Sequence, residues 1–309
     1  MDIWFHIPDF ANHLRLNTLI VNSISDAPEM FYDGLKIASV YGNFGGTLWN
    51  GGRYLGGGIE LNNAKKVLEI FNSRKVPLRF TFTNPLIEKK HLGDSFCNQI
   101  LRLASNGINE VIVMSPVLEE YIRENYPNYP ITSSTCKQIR NMDDVNAELA
   151  KDYKYVVLDY NFNNKFDLLE QIEEKNRSRC EILVNACCIP NCPRRGEHYR
   201  TIGQDQINES EHKKNYLSKK PYERIPFQCE YMNNTIYDIT SYQTYVSPQD
   251  IFEKYLPMGF NNFKIEGRTV SDVTLLETYI HYMVKPEYRD KARLKLLNVL
   301  TAKVRHFPL

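Results

Sequence analysis

Leu78-Arg79-Phe80-Thr81-Phe82 is followed by the amphipathic stretch 94–105 and then by Val111-Ile112-Val113-Met114. A short run of β-branched and aromatic residues, a segment of helical period and a second short apolar run read as strand, helix, strand. The unit recurs along almost the whole chain. Candidate strands fall at 3–7, 37–41, 78–82, 111–114, 131–134, 155–158, 181–184 and 262–265, with helix-like segments between them at 61–73, 94–105, 143–151 and 165–175. Asn163-Asn164 suits a cap for the 165–175 helix, and Ser271 with Asp272 a cap for the C-terminal helical region. This alternation predicts an α/β fold, a TIM-like (β/α)8 barrel built as a single domain over residues 1–309 and distorted at its first unit. An open doubly wound sheet is disfavoured, because no Gly-x-Gly-x-x-Gly follows an early strand.

Barrels of this kind gather their chemistry at the C-terminal ends of the strands. Tyr41-Gly42-Asn43-Phe44, Ser133-Ser134-Thr135-Cys136 and Asn185-Ala186-Cys187-Cys188 all fall at such ends, so the three are expected on one face. The segment of about 193–243 breaks the alternation and is rich in Tyr, Asn, Lys and Glu. It reads as a long insertion after strand seven, on that same side.

Hydrophobic content of 42%, charged content of 24% and a net charge of +1 over 309 residues describe an ordinary globular chain. Near-neutral charge leaves nucleic acid open as a partner but gives it no electrostatic footprint. No apolar run is long enough to cross a bilayer, so no membrane insertion is expected. Met1-Asp2-Ile3-Trp4-Phe5-His6 lacks the character of a signal peptide, and a cytoplasmic setting is the expectation. Seven cysteines in a reducing compartment do not read as a disulfide framework. Cys97, inside the 94–105 helix, reads as a core thiol.

The run Cys187-Cys188-Ile189-Pro190-Asn191-Cys192-Pro193-Arg194-Arg195 closes an apolar strand, and Cys229 follows downstream. Thiolates this close repel unless they share a cation, so the cluster reads first as a soft-metal site. An iron–sulfur cluster, most simply [4Fe-4S], takes four thiolates. Cys188, Cys192 and Cys229 are the expected ligands, with Cys187 as the fourth and Cys136, from another strand end, as the alternative. A structural zinc held by Cys188, Cys192, Cys229 and His198 is the competing metal reading. Reduced core thiols without metal are the third.

A glycine-rich stretch runs from Tyr41 to Gly58 without the Gly-x4-Gly-Lys-Ser/Thr pattern of a nucleotide loop. Tyr41, Asn43 and Arg53 are its candidate substrate-binding residues, Arg53 because a guanidinium can clamp a carboxylate or phosphate. A turn-rich connection with a surface arginine is the plainer reading. Alternation along the last strand sends Lys264, Glu266 and Arg268 to one side. Glu266 and Arg268 are therefore catalytic candidates, against a salt-bridged structural role at the barrel mouth. Asp159, Asn161 and Asn163 either line a pocket or cap a loop, and His198 and Tyr199 lie close to the proposed metal ligands. No nucleophile elbow and no His-Glu-x-x-His occurs, so peptidase chemistry has no residue-level support.

Residues 181–185, the cysteine run and Phe263-Lys264-Ile265-Glu266-Gly267-Arg268 together resemble the collagenase-like peptidase family U32, over the chain from residue 155 onward. The resemblance implies an apolar strand leading to cysteines and a Lys-Ile-Glu-Gly-Arg signature near the end of the barrel. It implies iron–sulfur binding for many members and oxygen-independent hydroxylation for several, among them tRNA- and ribosomal-RNA-modifying members and a pair acting in ubiquinone biosynthesis. The length is closest to the ubiquinone-type proteins, but Cys-x-x-x-Cys-Pro-Arg departs from their wider cysteine spacing. Three functions follow as expectations: a redox hydroxylase acting on a small-molecule or macromolecular substrate, a peptidase, or a non-catalytic cluster-bearing subunit with a homologous protein partner.

Overall fold

Strand β1 spans Ile3–Pro8, β2 Leu35–Gly42, β3 Leu78–Phe82 and β4 Glu110–Val113; β5 spans Ile131–Ser133, β6 Tyr155–Val157, β7 Cys180–Leu183 and β8 Asn262–Lys264. All pair in parallel with their sequence neighbours, and β8 returns to β1, so the sheet closes into a barrel in the order β1 to β8. The computed structural model describes residues 2–214, 222–224, 226–230 and 238–302. The expected distortion of the first unit is present as a register shift between Phe5 and His6 where β1 pairs with β2.

Alternation along each strand sorts the side chains into two environments. From β3, Phe80 and Phe82 turn outward and stack on each other; Phe80 meets Phe10 edge-on and Phe44 at a tilt, and Phe82 meets Trp49 edge-on. Each such ring removed from water contributes about 1.5–3 kcal/mol. Arg79, between Leu78 and Phe80, turns inward. Its guanidinium pairs with Glu110 on the adjacent β4 at 3.0 Å and reaches through the lumen to Glu181 on β7, which Lys264 on β8 also binds at 2.9 Å.

His6 completes this interior layer. Its Nδ1 meets Arg79 Nη2 at 2.9 Å and Ser39 Oγ at 2.8 Å. Arginine can only donate, so Nδ1 is the acceptor nitrogen and Nε2–H donates to Asn262 Oδ1 at 3.1 Å. Burial first, and Arg79 second, lower the imidazole pKa to about 3, so the ring is neutral. Burial alone would raise the Glu181 carboxyl, but the Arg79 and Lys264 charges prevail and hold it ionised far below its usual range. Above this polar layer the inward side chains Tyr41, Thr81, Ile112, Val157, Leu183 and Lys264 floor the mouth of the barrel.

The outer helices are α1 Leu14–Asp26, α2 Leu61–Asn72, α3 Ser95–Ala104, α4 Pro116–Asn125, α5 Met142–Leu149, α6 Phe166–Leu169, α7 Glu174–Arg177, α8 Arg195–Lys214, α9 Pro248–Asp250, α10 Asp272–Met283 and α11 Arg289–Thr301. Ser271 caps α10 by accepting from the Thr274 amide, and Cys97 is a buried core thiol of α3. Two expectations need correction. The single 165–175 helix is instead the pair of one-turn helices α6 and α7. Asn163 and Asn164 do not cap it: Lys165 stands at the N-cap with no side-chain cap hydrogen bond, the two amides donate to the carbonyls of Leu183 and Thr244 and of Gln243 and Tyr245, and Asn164 Oδ1 accepts from the Tyr255 hydroxyl.

The second correction concerns the insertion. Residues expected to lack an element form the 20-residue helix α8, while 215–221, 225 and 231–237 of the same segment lie outside the described residues. The helix escapes the apolar period because its buried face is largely polar: Arg195, Tyr199, Gly203, Gln206, Glu209 and Ser210 follow one another at helical spacing.

Candidate functional site

The loops beyond the strand ends enclose a cavity of about 700 Å³. Cys136 follows β5, Cys187, Cys188 and Cys192 follow β7, and Cys229 comes from the insertion; all five line this cavity. Cys97 and Cys180 do not, being buried in α3 and β7. The three strand-end sequences expected to converge therefore do so in part, through Tyr41, Cys136, Cys187 and Cys188.

Local folding explains how the cysteine loop is held. Asn185 and Glu266 exchange hydrogen bonds: the Asn185 amide donates to Glu266 O at 3.0 Å, and the Glu266 N–H donates to Asn185 Oδ1 at 2.6 Å. The ends of β7 and β8 are thereby clamped together, and the Cys187 N–H donates to the Glu266 carboxylate at 3.2 Å. Asn191 takes a positive φ of 52°, and its N–H donates to Asn161 Oδ1 at 2.8 Å, which turns the loop back toward β6. Asp159 and Asn161 serve as loop-fixing groups, with Asp159 Oδ1 accepting from the Asn161 backbone at 3.0 Å.

Cys188 neighbours both Cys192 and Tyr160, and the Tyr160 hydroxyl donates to Ile189 O at 3.3 Å. Burial pushes the Cys188 thiol up, as it does Cys187, against the opposing pull of Arg53 on the latter. Arg195 closes this side: it ion-pairs with Asp159 at 2.7 Å, donates to Tyr199 Oη at 2.9 Å and lies 4.2 Å over the Tyr160 ring. Cys229 reaches the cavity because Phe227 stacks flat on His198 at 4.5 Å and lies under the Arg194 guanidinium at 4.6 Å.

Among the described residues, no three His, Cys, Asp or Glu side chains converge tightly enough to hold one metal ion. The single-ion set of Cys188, Cys192, Cys229 and His198 is not assembled, and the His198 ring is occupied by Phe227. Burial, then the neighbouring Arg53, Arg224 and Arg194 charges, lower its pKa to about 4. A cube of iron and sulfide holds its thiolates much farther apart than one ion does. The five thiols share the wall of one cavity without gathering at a single point.

Basic side chains line the same cavity, interleaved with the thiols. Arg53 ion-pairs with Glu266, which joins the glycine-rich loop to the end of β8. Lys264 lies 4.0 Å over the Tyr41 ring, and the Tyr41 hydroxyl donates to Ile265 O at 2.7 Å. Arg268 donates to Thr81 Oγ1 at 3.0 Å, Gly51 O at 2.9 Å and Asn50 Oδ1 at 3.3 Å. Lys264, Glu266 and Arg268 thus share the cavity, as strand alternation requires, together with Tyr41 and Arg53. Asn43 does not belong with them. It is buried, its Oδ1 accepts from the Phe44 N–H at 3.2 Å, and its amide faces Thr81 O at 3.4 Å, so it shapes the loop behind the cavity.

Helix α8 holds the glycine-rich loop from above. Gln206 Oε1 accepts from Asn50 Nδ2 at 2.7 Å and from the Leu55 N–H at 2.8 Å, and Glu209 accepts from Tyr54 Oη at 2.9 Å and the Gly57 N–H at 3.1 Å. Sequence reasoning missed Thr83, Tyr160, Arg195 and Arg224 as cavity residues. Thr83 and Tyr160 lie just past strands β3 and β6, a position that alone could have marked them; Arg195 and Arg224 carried no positional signal.

The sequence profile of peptidase family U32 matches residues 40–295. An uncharacterized protease of Methanocaldococcus jannaschii is 24% identical over 185 residues, which is 57% of this chain and 50% of the relative. The chain thus spans half the length of that curated relative. The solved structure of a U32 peptidase superposes with a TM-score of 0.48 at 13% identity, covering 86% of this chain and 94% of that one. The profile match extends over far more than half of the sequence: the chain belongs to peptidase family U32.

Proposed function

We propose that this chain is a redox enzyme in which an iron–sulfur cluster, held by Cys188, Cys192 and Cys229 with Cys187 or Cys136 as the fourth ligand, supports oxygen-independent hydroxylation or a related redox modification. The observation that carries the reading is the placement of five thiols from three separate stretches of chain on the wall of one cavity. When bound, such a cluster supplies one-electron steps that no side chain here can supply. Iron takes thiolates, so binding would displace the protons that burial keeps on Cys187 and Cys188.

The charged residues of the cavity would position the substrate. Glu266 is oriented from two directions, by Arg53 and by the Cys187 N–H, so its carboxylate is fixed between the two. It is the group placed to accept a proton. Arg268 would orient the substrate, and α8 with the glycine-rich loop would limit water entry.

Hydrolysis of peptides is supported by the family alone. Among the described residues the Ser–His hydrogen bond is that of Ser39 with His6, sealed in the lumen below the cavity. His198, in the cavity, is stacked on Phe227. The test is to purify the protein without oxygen and assay it in parallel for a dithionite-bleachable brown chromophore and for cleavage of labelled gelatin. The expected result is the chromophore without cleavage. Cleavage that persists in Cys188→Ala would establish the peptidase reading instead.

A further inference from the structure

Five of the basic side chains on the cavity wall have a carboxylate partner: Arg53 has Glu266, Arg194 has Glu197, Arg195 has Asp159, Arg224 has Asp205 and Lys264 has Glu181. Arg268 differs. Its three hydrogen bonds go to a hydroxyl, a carbonyl and an amide oxygen, all neutral, and no carboxylate among the described residues lies within ion-pairing distance. A half-buried guanidinium that faces a cavity with no counter-charge is costly unless something else supplies one.

A second group points to the same place. Thr83, just beyond β3, is buried, lines the cavity, and has a hydroxyl with no hydrogen-bond partner among the described residues. The two groups share one small volume. A β-carbon on Gly52 would stand 2.9 Å from Arg268 Nη2 and 3.7 Å from Thr83 Oγ1. Gly52 has φ +73°, a left-handed turn that a residue without a β-carbon tolerates, and Cys136 Sγ borders the same spot, 3.4 Å from where that β-carbon would stand.

We infer that Arg268 and Thr83, with Gly52 between them, form a subsite for an oxyanion of the substrate, a carboxylate or a phosphate, at the floor of the cavity. This rests on the reading of the cavity as the substrate site. The guanidinium supplies the counter-charge and a directed N–H, and the threonine hydroxyl supplies a second donor. The substrate class this selects is an anionic molecule bound by its charged end, with the remainder directed toward the thiols.

The test is calorimetric titration of the anaerobically purified full chain with benzoate and, separately, with phenyl phosphate, which share a ring and differ in the anion. Iron and sulfide are determined on the same sample, so that a failed cluster assignment is read separately. Saturable binding of either probe is expected, and which one binds tells carboxylate from phosphate. Arg268→Met should weaken it about tenfold or more, and Thr83→Val several-fold. Thr83→Val removes a hydroxyl that no described residue satisfies, so its thermal midpoint should equal or exceed the parent's while its binding falls. A purely structural threonine would not show that divergence. No binding of either probe, or binding that survives either substitution unchanged, overturns the subsite.

Discussion

Arg195, at the first turn of α8, and Asp159, just past β6, form an ion pair at 2.7 Å with both side chains almost wholly out of water. This contact fastens the insertion to the barrel beside the cysteine loop. Replacing Asp159 by Ala would leave the guanidinium buried and unpaired, which costs about 3–5 kcal/mol. The expected outcome is a marked fall in the denaturation midpoint. Glu197→Ala, which removes the exposed partner of Arg194, should leave the midpoint nearly unchanged.

Gly203 on α8 lies so close to the loop after β3 that a β-carbon there would fall 2.3 Å from Asn84 Oδ1. Asn84 cannot yield easily, since its amide donates to Leu48 O and Gly203 O and its oxygen accepts from the Leu86 N–H. Gly203→Ala should therefore destabilise by about 1–3 kcal/mol. Gly58→Ala, where nothing lies within 4 Å, should not. Chemical denaturation of the two variants distinguishes them.

Gln206 ties α8 to the glycine-rich loop through Asn50 and Leu55. In Gln206→Ala the Leu55 N–H and the Asn50 amide lose their acceptor, at a cost of about 1–3 kcal/mol. Limited proteolysis should then cut faster within residues 50–58, with the barrel strands still protected in hydrogen exchange.

His6 makes stability depend on pH in a definite direction. Its folded pKa is lowered to about 3, while the unfolded ring titrates near 6.5. As pH falls through the unfolded value, the unfolded chain takes up a proton that the folded chain refuses, and stability is lost. The contribution is fully present above the unfolded value and has lost about 2 kcal/mol by about pH 5. The difference between the parent and His6→Gln in unfolding free energy, followed from about pH 7 to about pH 5, should show this slope.

Strand pattern was enough to read the barrel from the sequence, because Phe80 and Phe82 announce a strand whatever lies between them. It could not show that Arg79, beside Glu110 on the next strand, also reaches across the lumen to Glu181, since pairing across non-neighbouring strands leaves no local trace. Helix α8 was hidden for a related reason: its inward face carries Arg195, Gln206 and Glu209, which satisfy loop groups and so break the apolar period. At the site, Tyr41, Arg53, Glu266, Arg268 and the cysteines were legible from strand-end position and residue type. Asn43 shared that position but faces a backbone carbonyl. Thr83 was not legible, because its importance lies in lacking a partner among the described residues.

The account depends on thiols from distinct segments serving a single inorganic centre. The direct measurement is iron and acid-labile sulfide per chain in protein purified under nitrogen, for the parent and for Cys188→Ala, Cys192→Ala, Cys229→Ala and Cys97→Ala. The account predicts about four of each in the parent, collapse in the first three variants and retention in Cys97→Ala. Parent protein without iron or sulfide, or a content unaffected by all three cavity substitutions, would contradict it.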